Sequence, residues 1–349
     1  MKENDDSIVD KGIVKNNIIV FAGALLCCFL WGSAFPAIKI GYRLCNIDSS
    51  ETWRIIIFAG VRFFIAGFLV ILFASIRSRH IIAPKKDELS KIVFLSLFQT
   101  IGQYVFFYLG LALTTGMNAA VIDSLTNFFA IIFASLAFNM EKMNGRKIAG
   151  CLLGILGVYI INFSDKTEAL IDLPLSDVFG ALFTEDWRPA TLGGDAMILI
   201  SALCYGMSSV LIKKYSSEHD MVLFSGYQFM FGGFAMSVFG LVMNMIAGGV
   251  SGKDAGYAVN SGIGAVMILL YLALVSSVAY TLWGILLKYN DVSKISIFGF
   301  MNPVIGVILS ALLLGEGDQL GWKYVIALIL VSLGIVIVNT SKKESTNRE

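Results

Sequence analysis

Ten stretches of this chain run apolar for 17 to 26 residues each, and little lies between them. They cover roughly 18–40, 54–76, 91–113, 117–140, 147–163, 196–213, 221–246, 263–287, 294–315 and 322–340. A helix rises 1.5 Å per residue and the hydrocarbon of a bilayer is about 30 Å thick, so about twenty apolar residues cross it once. Backbone polar groups within lipid must be bonded inside their own segment, which makes each crossing a helix. The expectation is an all-α integral membrane protein with ten transmembrane helices. Composition agrees, since 15% of the residues are charged where a soluble domain carries about 25%.

Lys and Arg orient the bundle, because cytoplasmic loops keep the positive excess. With the N-terminus inside, the cytoplasmic side receives Lys2, Lys11 and Lys15, the group from Arg77 to Lys91, Lys142, Arg146 and Lys147, Lys213 and Lys214, Lys288 and Lys294, and the C-terminal tail. Seven remain outside (Lys39, Arg43, Arg54, Lys166, Arg188, Lys253, Lys323), and Arg62 lies within a span. This predicts a multi-pass plasma-membrane protein with both termini cytoplasmic and no cleaved signal.

The chain also reads as two copies of one pattern. Trp31-Gly32 with Lys39 matches Tyr205-Gly206 with Lys213, and Arg62 with Ala66-Gly67 matches Gln228 with Gly232-Gly233. Asn127, Ser135 and Glu141 match Asn302, Ser310 and Glu316, and Gly157 and Asn162 match Gly334 and Asn339. Four matches in one order indicate a tandem repeat. Five spans per copy is an odd number, so the second copy enters the bilayer inverted. Such a 5+5 inverted repeat places a central site where either face can open. The expected units are a tail over 1–17, a first repeat over 18–163, an extracytoplasmic linker over 164–194, a second repeat over 195–340 and a tail over 341–349.

The segments LWGSAFPAIK (30–39) and NPVIGVILSALLLGE (302–316) resemble the two EamA-type repeats of the drug/metabolite transporter superfamily. The resemblance covers about 22–163 and 195–340. It implies ten helices in a 5+5 inverted fold and alternating-access movement of small organic metabolites, often as efflux. It leaves the substrate open among amino acids, amines, nucleotide-linked sugars and drugs. Two positions depart from the pattern: Phe128 stands where the fourth helix usually has Pro, and Asp123 where a small or apolar residue is commoner.

A charge inside a bilayer needs a partner or an aqueous cavity. Arg62 and Asp123 lie at similar depth, so an ion pair between them is one expectation, and substrate or proton binding by either is the other. Gln99 and Gln103 share one helix face, as do Asp123 and Asn127, because residues four apart stack. Tyr205, Gln228, Tyr280, Trp283 and Asn302 supply the second half of a midplane substrate site, and Pro36 and Pro303 its hinges. Glu141 and Glu316 are expected to cap the helix that follows each.

No metal or cofactor site is expected: the five cysteines have no ligand spacing, and there are two histidines. HExxH, GxSxG and GxxxxGK are absent from the sequence, which argues against an enzyme or an ATP-driven pump. Charges nearly balance, 26 basic against 25 acidic, so nucleic acid is not a partner. The partners expected are a small-molecule substrate, membrane lipids and protons as a candidate coupling ion, in a monomer or homodimer. The reading is a secondary transporter exporting metabolites such as amino acids. A lipid or drug flippase of the same fold is the alternative, with a channel or intramembrane enzyme behind it.

Overall fold

The computed structural model describes residues 17–140, 142–171, 190–215, 219–247, 262–289 and 298–339. Both tails, Glu141 and most of the 164–194 linker lie outside the described residues. In chain order the helices are α1 (Asn17–Leu44), α2 (Thr52–Ser78), α3 (Lys86–Leu113), α4 (Gly116–Ala137), α5 (Gly145–Ile171), α6 (Ala190–Tyr215), α7 (Met221–Ile246), α8 (Ile263–Tyr289), α9 (Phe298–Leu314) and α10 (Trp322–Asn339). Among the described residues there is no strand. Seven helices, α1 to α4 and α6 to α8, are long and apolar enough to cross a membrane, and α9 and α10 are shorter apolar helices.

Local chemistry sets the ends. Thr115 accepts the amide of Asn118 at the start of α4, Asp220 accepts that of Val222 at the start of α7, and Gly315 ends α9 at φ 72°. Large side chains such as Phe73, Ile76, Met245 and Leu312 are exposed on the outside of the bundle. That surface suits hydrocarbon and not water.

The helices pack across the chain midpoint. α2 runs against α7, α5 against α10 and α4 against α9. α1 packs on α8 and α9, as α6 packs on α3 and α4. Small residues make the closest crossings, as expected where close backbone approach replaces the hydrophobic effect. A Cβ on Gly60 would lie 2.8 Å from the Gly233 carbonyl, and one on Gly67 would lie 2.5 Å from that of Gly226. At the α5–α10 crossing, Gly150 meets the Gly334 carbonyl at 2.7 Å and Gly157 that of Ala327 at 2.9 Å on the same measure.

Two irregularities occur at corresponding places. A turn at Ser124–Leu125 breaks α4, just after Asp123, and a 3-10 turn over Phe298–Phe300 opens α9. These positions are 175 residues apart, the separation of Asn127 and Asn302. α3 carries its own distortion, a π-helical segment over Leu97–Gly102.

Candidate functional site

Arg62 and Gln228 occupy equivalent places on α2 and α7, and each fastens its helix to a neighbour. The guanidinium donates from Nε to the Leu272 carbonyl (3.1 Å), from Nη2 to Ser276 Oγ (2.9 Å) and from Nη1 to the Tyr108 hydroxyl. It also lies 4.8 Å from the Phe63 ring centroid. Gln228 donates to Gln99 Oε1 (2.8 Å) and accepts from Thr100 Oγ1 (2.8 Å), while Ser96 Oγ reaches its carbonyl (3.0 Å). Arg62 therefore ties α2 to α8 and α3, and Gln228 ties α7 to α3.

Magnitudes explain why Arg62 needs no carboxylate. Arginine at mid-bilayer costs ~2.5–3.5 kcal/mol on insertion scales, and hydrogen bonds to charged groups return roughly 1.5–3 kcal/mol each. Three bonds and a ring face offset that cost. The side chain is 3% exposed, and among the described residues it forms no ion pair with Asp123. The expected pair is not formed because the two helices diverge: α2 packs on α7 and α8, α4 on α6 and α9.

Between these staples lies an aromatic group contributed by both halves. The Tyr104 and Tyr280 hydroxyls hydrogen-bond to each other at 2.9 Å. Phe63 and Phe229 lie tilted to each other at 5.4 Å, and Tyr280 meets Phe229 edge-on at 5.1 Å. Trp31 packs edge-on against Tyr280 (5.6 Å) and Trp283 (5.1 Å). Tyr205 is half-buried within electrostatic range of Tyr104, Tyr280 and Asp123. Asp123 is half-buried at the break in α4 and, among the described residues, accepts no hydrogen bond.

The other sequence candidates divide. Asn127 is half-buried near Gly299 and donates to the Ser124 carbonyl (3.3 Å). Gln103 and Asn302 each bury a side-chain oxygen that has no hydrogen-bond partner among the described residues, a costly condition in an apolar interior. Gln99 is consumed by Gln228. Pro36 lies within α1, and Pro303 lies in α9 just after its opening 3-10 turn. Tyr104, Tyr108 and Ser276 escaped the sequence reading, although the 176 residues between Tyr104 and Tyr280 also separate Thr100 from Ser276.

A polar seal closes the end where α1 terminates. Glu316 does cap a helix, but not the one that follows it: it accepts from the Gly116 amide (3.0 Å) and Met117 amide (3.1 Å) of α4, and Lys39 Nζ stands 3.8 Å away. A carboxylate there complements the helix dipole, and Lys39 faces it. Beside them Asp195 accepts from Thr114 and, at 3.5 Å, from Asn118, which in turn accepts from Tyr324 (2.6 Å). At the opposite end His219 joins Glu88 (2.9 Å) and Lys91 (2.8 Å), linking α3 to the segment before α7. A separate crevice of about 440 Å³ between α2, α3 and α7 is lined by Ile56, Ile101, Phe106, Met236 and Phe239 and is wholly apolar.

A bundle of apolar helices with polar groups bonded helix to helix is a multi-pass membrane protein. Its residues 18–163 and 192–340 match the EamA-like transporter family, and the chain belongs to that family of transporters. It is 24% identical to a "Probable amino-acid metabolite efflux pump" of Escherichia coli over 90% of this chain and 92% of that protein. It is 22% identical to the "Uncharacterized transporter YoaV" of Bacillus subtilis over 90% of this chain and 95% of that protein, and 25% identical to an uncharacterized transporter of Archaeoglobus fulgidus over 83% and 88%. One solved crystal structure superposes with a TM-score of 0.55 at 14% identity, over 91% of this chain and 95% of that one, a likeness of fold.

Proposed function

We propose that α1–α5 and α6–α10 are inverted repeats that carry a small organic metabolite across the plasma membrane by alternating access, as an exporter with both termini cytoplasmic. The observation that carries this is the exchange of partners: Tyr104 and Tyr280, 176 residues apart, bond to each other. Gly60 with Gly233 and Gly67 with Gly226 obey the same kind of exchange at 166 residues. Corresponding residues that exchange partners between the halves support a two-fold axis relating them, and the odd number of spans per half lays that axis in the membrane plane. The substrate site then lies at the seam, between Asp123, Asn127, Tyr205, Tyr280, Trp283 and Asn302. Arg62, Gln99 and Gln228 hold its walls.

Amino acids are the leading substrates, since the Escherichia coli relative is named for amino-acid metabolites and the seam joins a carboxylate to aromatic rings. Rocking of the halves would break the Glu316 and Asp195 seal to open that end. A proton is the candidate coupling ion. The purified protein in liposomes should give saturable efflux of preloaded radiolabelled phenylalanine or leucine. Efflux equal to that of protein-free liposomes for both, and for a wider amino-acid panel, would reject the reading. The apolar crevice is the one feature that favours a lipid flippase, and accelerated movement of a labelled phospholipid between leaflets would identify that activity.

A further inference from the structure

The interior charges are not equivalent once their partners are named. Every donor-bearing nitrogen of Arg62 is engaged, and the side chain is shut away from the seam. Lys39, the next cation toward the sealed end, faces Glu316. Asp123 remains, half-buried at a helix break, with no ion pair among the described residues. A carboxyl group in that setting takes up a proton or is met by water or a cation. Tyr205 stands on α6, which packs against α4, and the face of such a ring suits an organic cation. An organic anion entering the seam would meet the carboxylate, and none of the residues assigned to the seam is basic.

We infer that Asp123 recognises the positive charge of the substrate, so that primary amines and zwitterions with a free ammonium are accepted and the matching deaminated acids are refused. This rests on the carrier reading and names its substrate class. It also removes Arg62 from the role of carboxylate ligand.

The test uses two sets of probes that share a side chain and differ in charge: phenylalanine, phenethylamine and 3-phenylpropionate, and leucine, isoamylamine and 4-methylpentanoate. Binding to the purified full chain is read as concentration-dependent thermal stabilisation, since a ligand of the native state raises its melting point. Both amine-bearing members of a set should stabilise and the acid should not. Asp123→Asn should weaken their half-saturation about tenfold or more, and Asp123→Glu should restore part of it. Stabilisation by the acids equal to that by the amines, or undiminished amine binding in Asp123→Asn, overturns the inference while leaving the efflux of phenylalanine or leucine to judge the carrier reading. Should Asp123→Asn fail to fold, the amine-to-acid preference of the wild type and of Asp123→Glu decides the matter: loss of preference in the wild type refutes it. Efflux without any amine preference refutes the inference alone, and absence of both refutes the two together.

Discussion

Place α1–α5 beside α6–α10 and their mechanics agree while their charges do not. Gly67 meets the backbone of Gly226 and Met230, and Gly233 that of Gly60 and Phe64. Tyr104 and Tyr280 share one bond, and the break after Asp123 answers the turn at Phe298. Yet Arg62 faces Gln228 in this comparison, and Asp123 faces Phe298. Packing must be matched in both halves for either to exchange shape with the other, whereas a substrate needs its charge answered once. In the carrier proposed above, that difference would separate what moves from what binds.

The comparison breaks first at the glycines. Gly67→Val and Gly233→Val each drive a Cβ into a neighbouring helix backbone, at a cost of roughly 1–3 kcal/mol and more where nothing can yield. Both should lower the melting temperature strongly and alike; a large effect at one and none at the other would deny the equivalence.

Arg62→Gln comes next. It frees the hydroxyls of Tyr108 and Ser276 and should cost about 1–3 kcal/mol of stability, read by thermal denaturation, with amine preference retained. Loss of amine preference without loss of stability would return Arg62 to the site. Asp123→Asn against Phe298→Leu sharpens the contrast: the first should weaken amine binding about tenfold, which is about 1.4 kcal/mol, and the second should leave it nearly unchanged. The smallest effect belongs to Tyr104→Phe and Tyr280→Phe, each removing one interhelical bond worth ~0.6 kcal/mol. Their melting shifts should match, and the double variant should add little beyond either single one.

The helices were legible because a membrane span is a constraint on composition, readable without knowing its neighbours. The sequence positions of α1 to α4 and α6 to α8 as spans follow from that alone. The pairing of Arg62 with Gln228 was also readable as a proposal, since position in a repeat survives a change of residue. Their partners were not: equal depth suggested Asp123 for Arg62, but depth says nothing about which helices adjoin. Glu316 failed for the same reason, its cap belonging to α4 across the bundle and not to α10 next in the chain. Tyr104 was lost within QYVFFYLG, where a dense aromatic run reads as packing, and Asp195 fell one residue outside the apolar window that defines its span.

Everything turns on the halves being inverted copies. The loops between α1 and α2 and between α6 and α7 are equivalent in that scheme, and Asp48 and Asp220 are exposed in them. In a cysteine-free background, single cysteines placed at 48 and at 220 can be labelled from one side of sealed vesicles with a membrane-impermeant maleimide. The account predicts that each is reached from the opposite side to the other; labelling of both from the same side contradicts it.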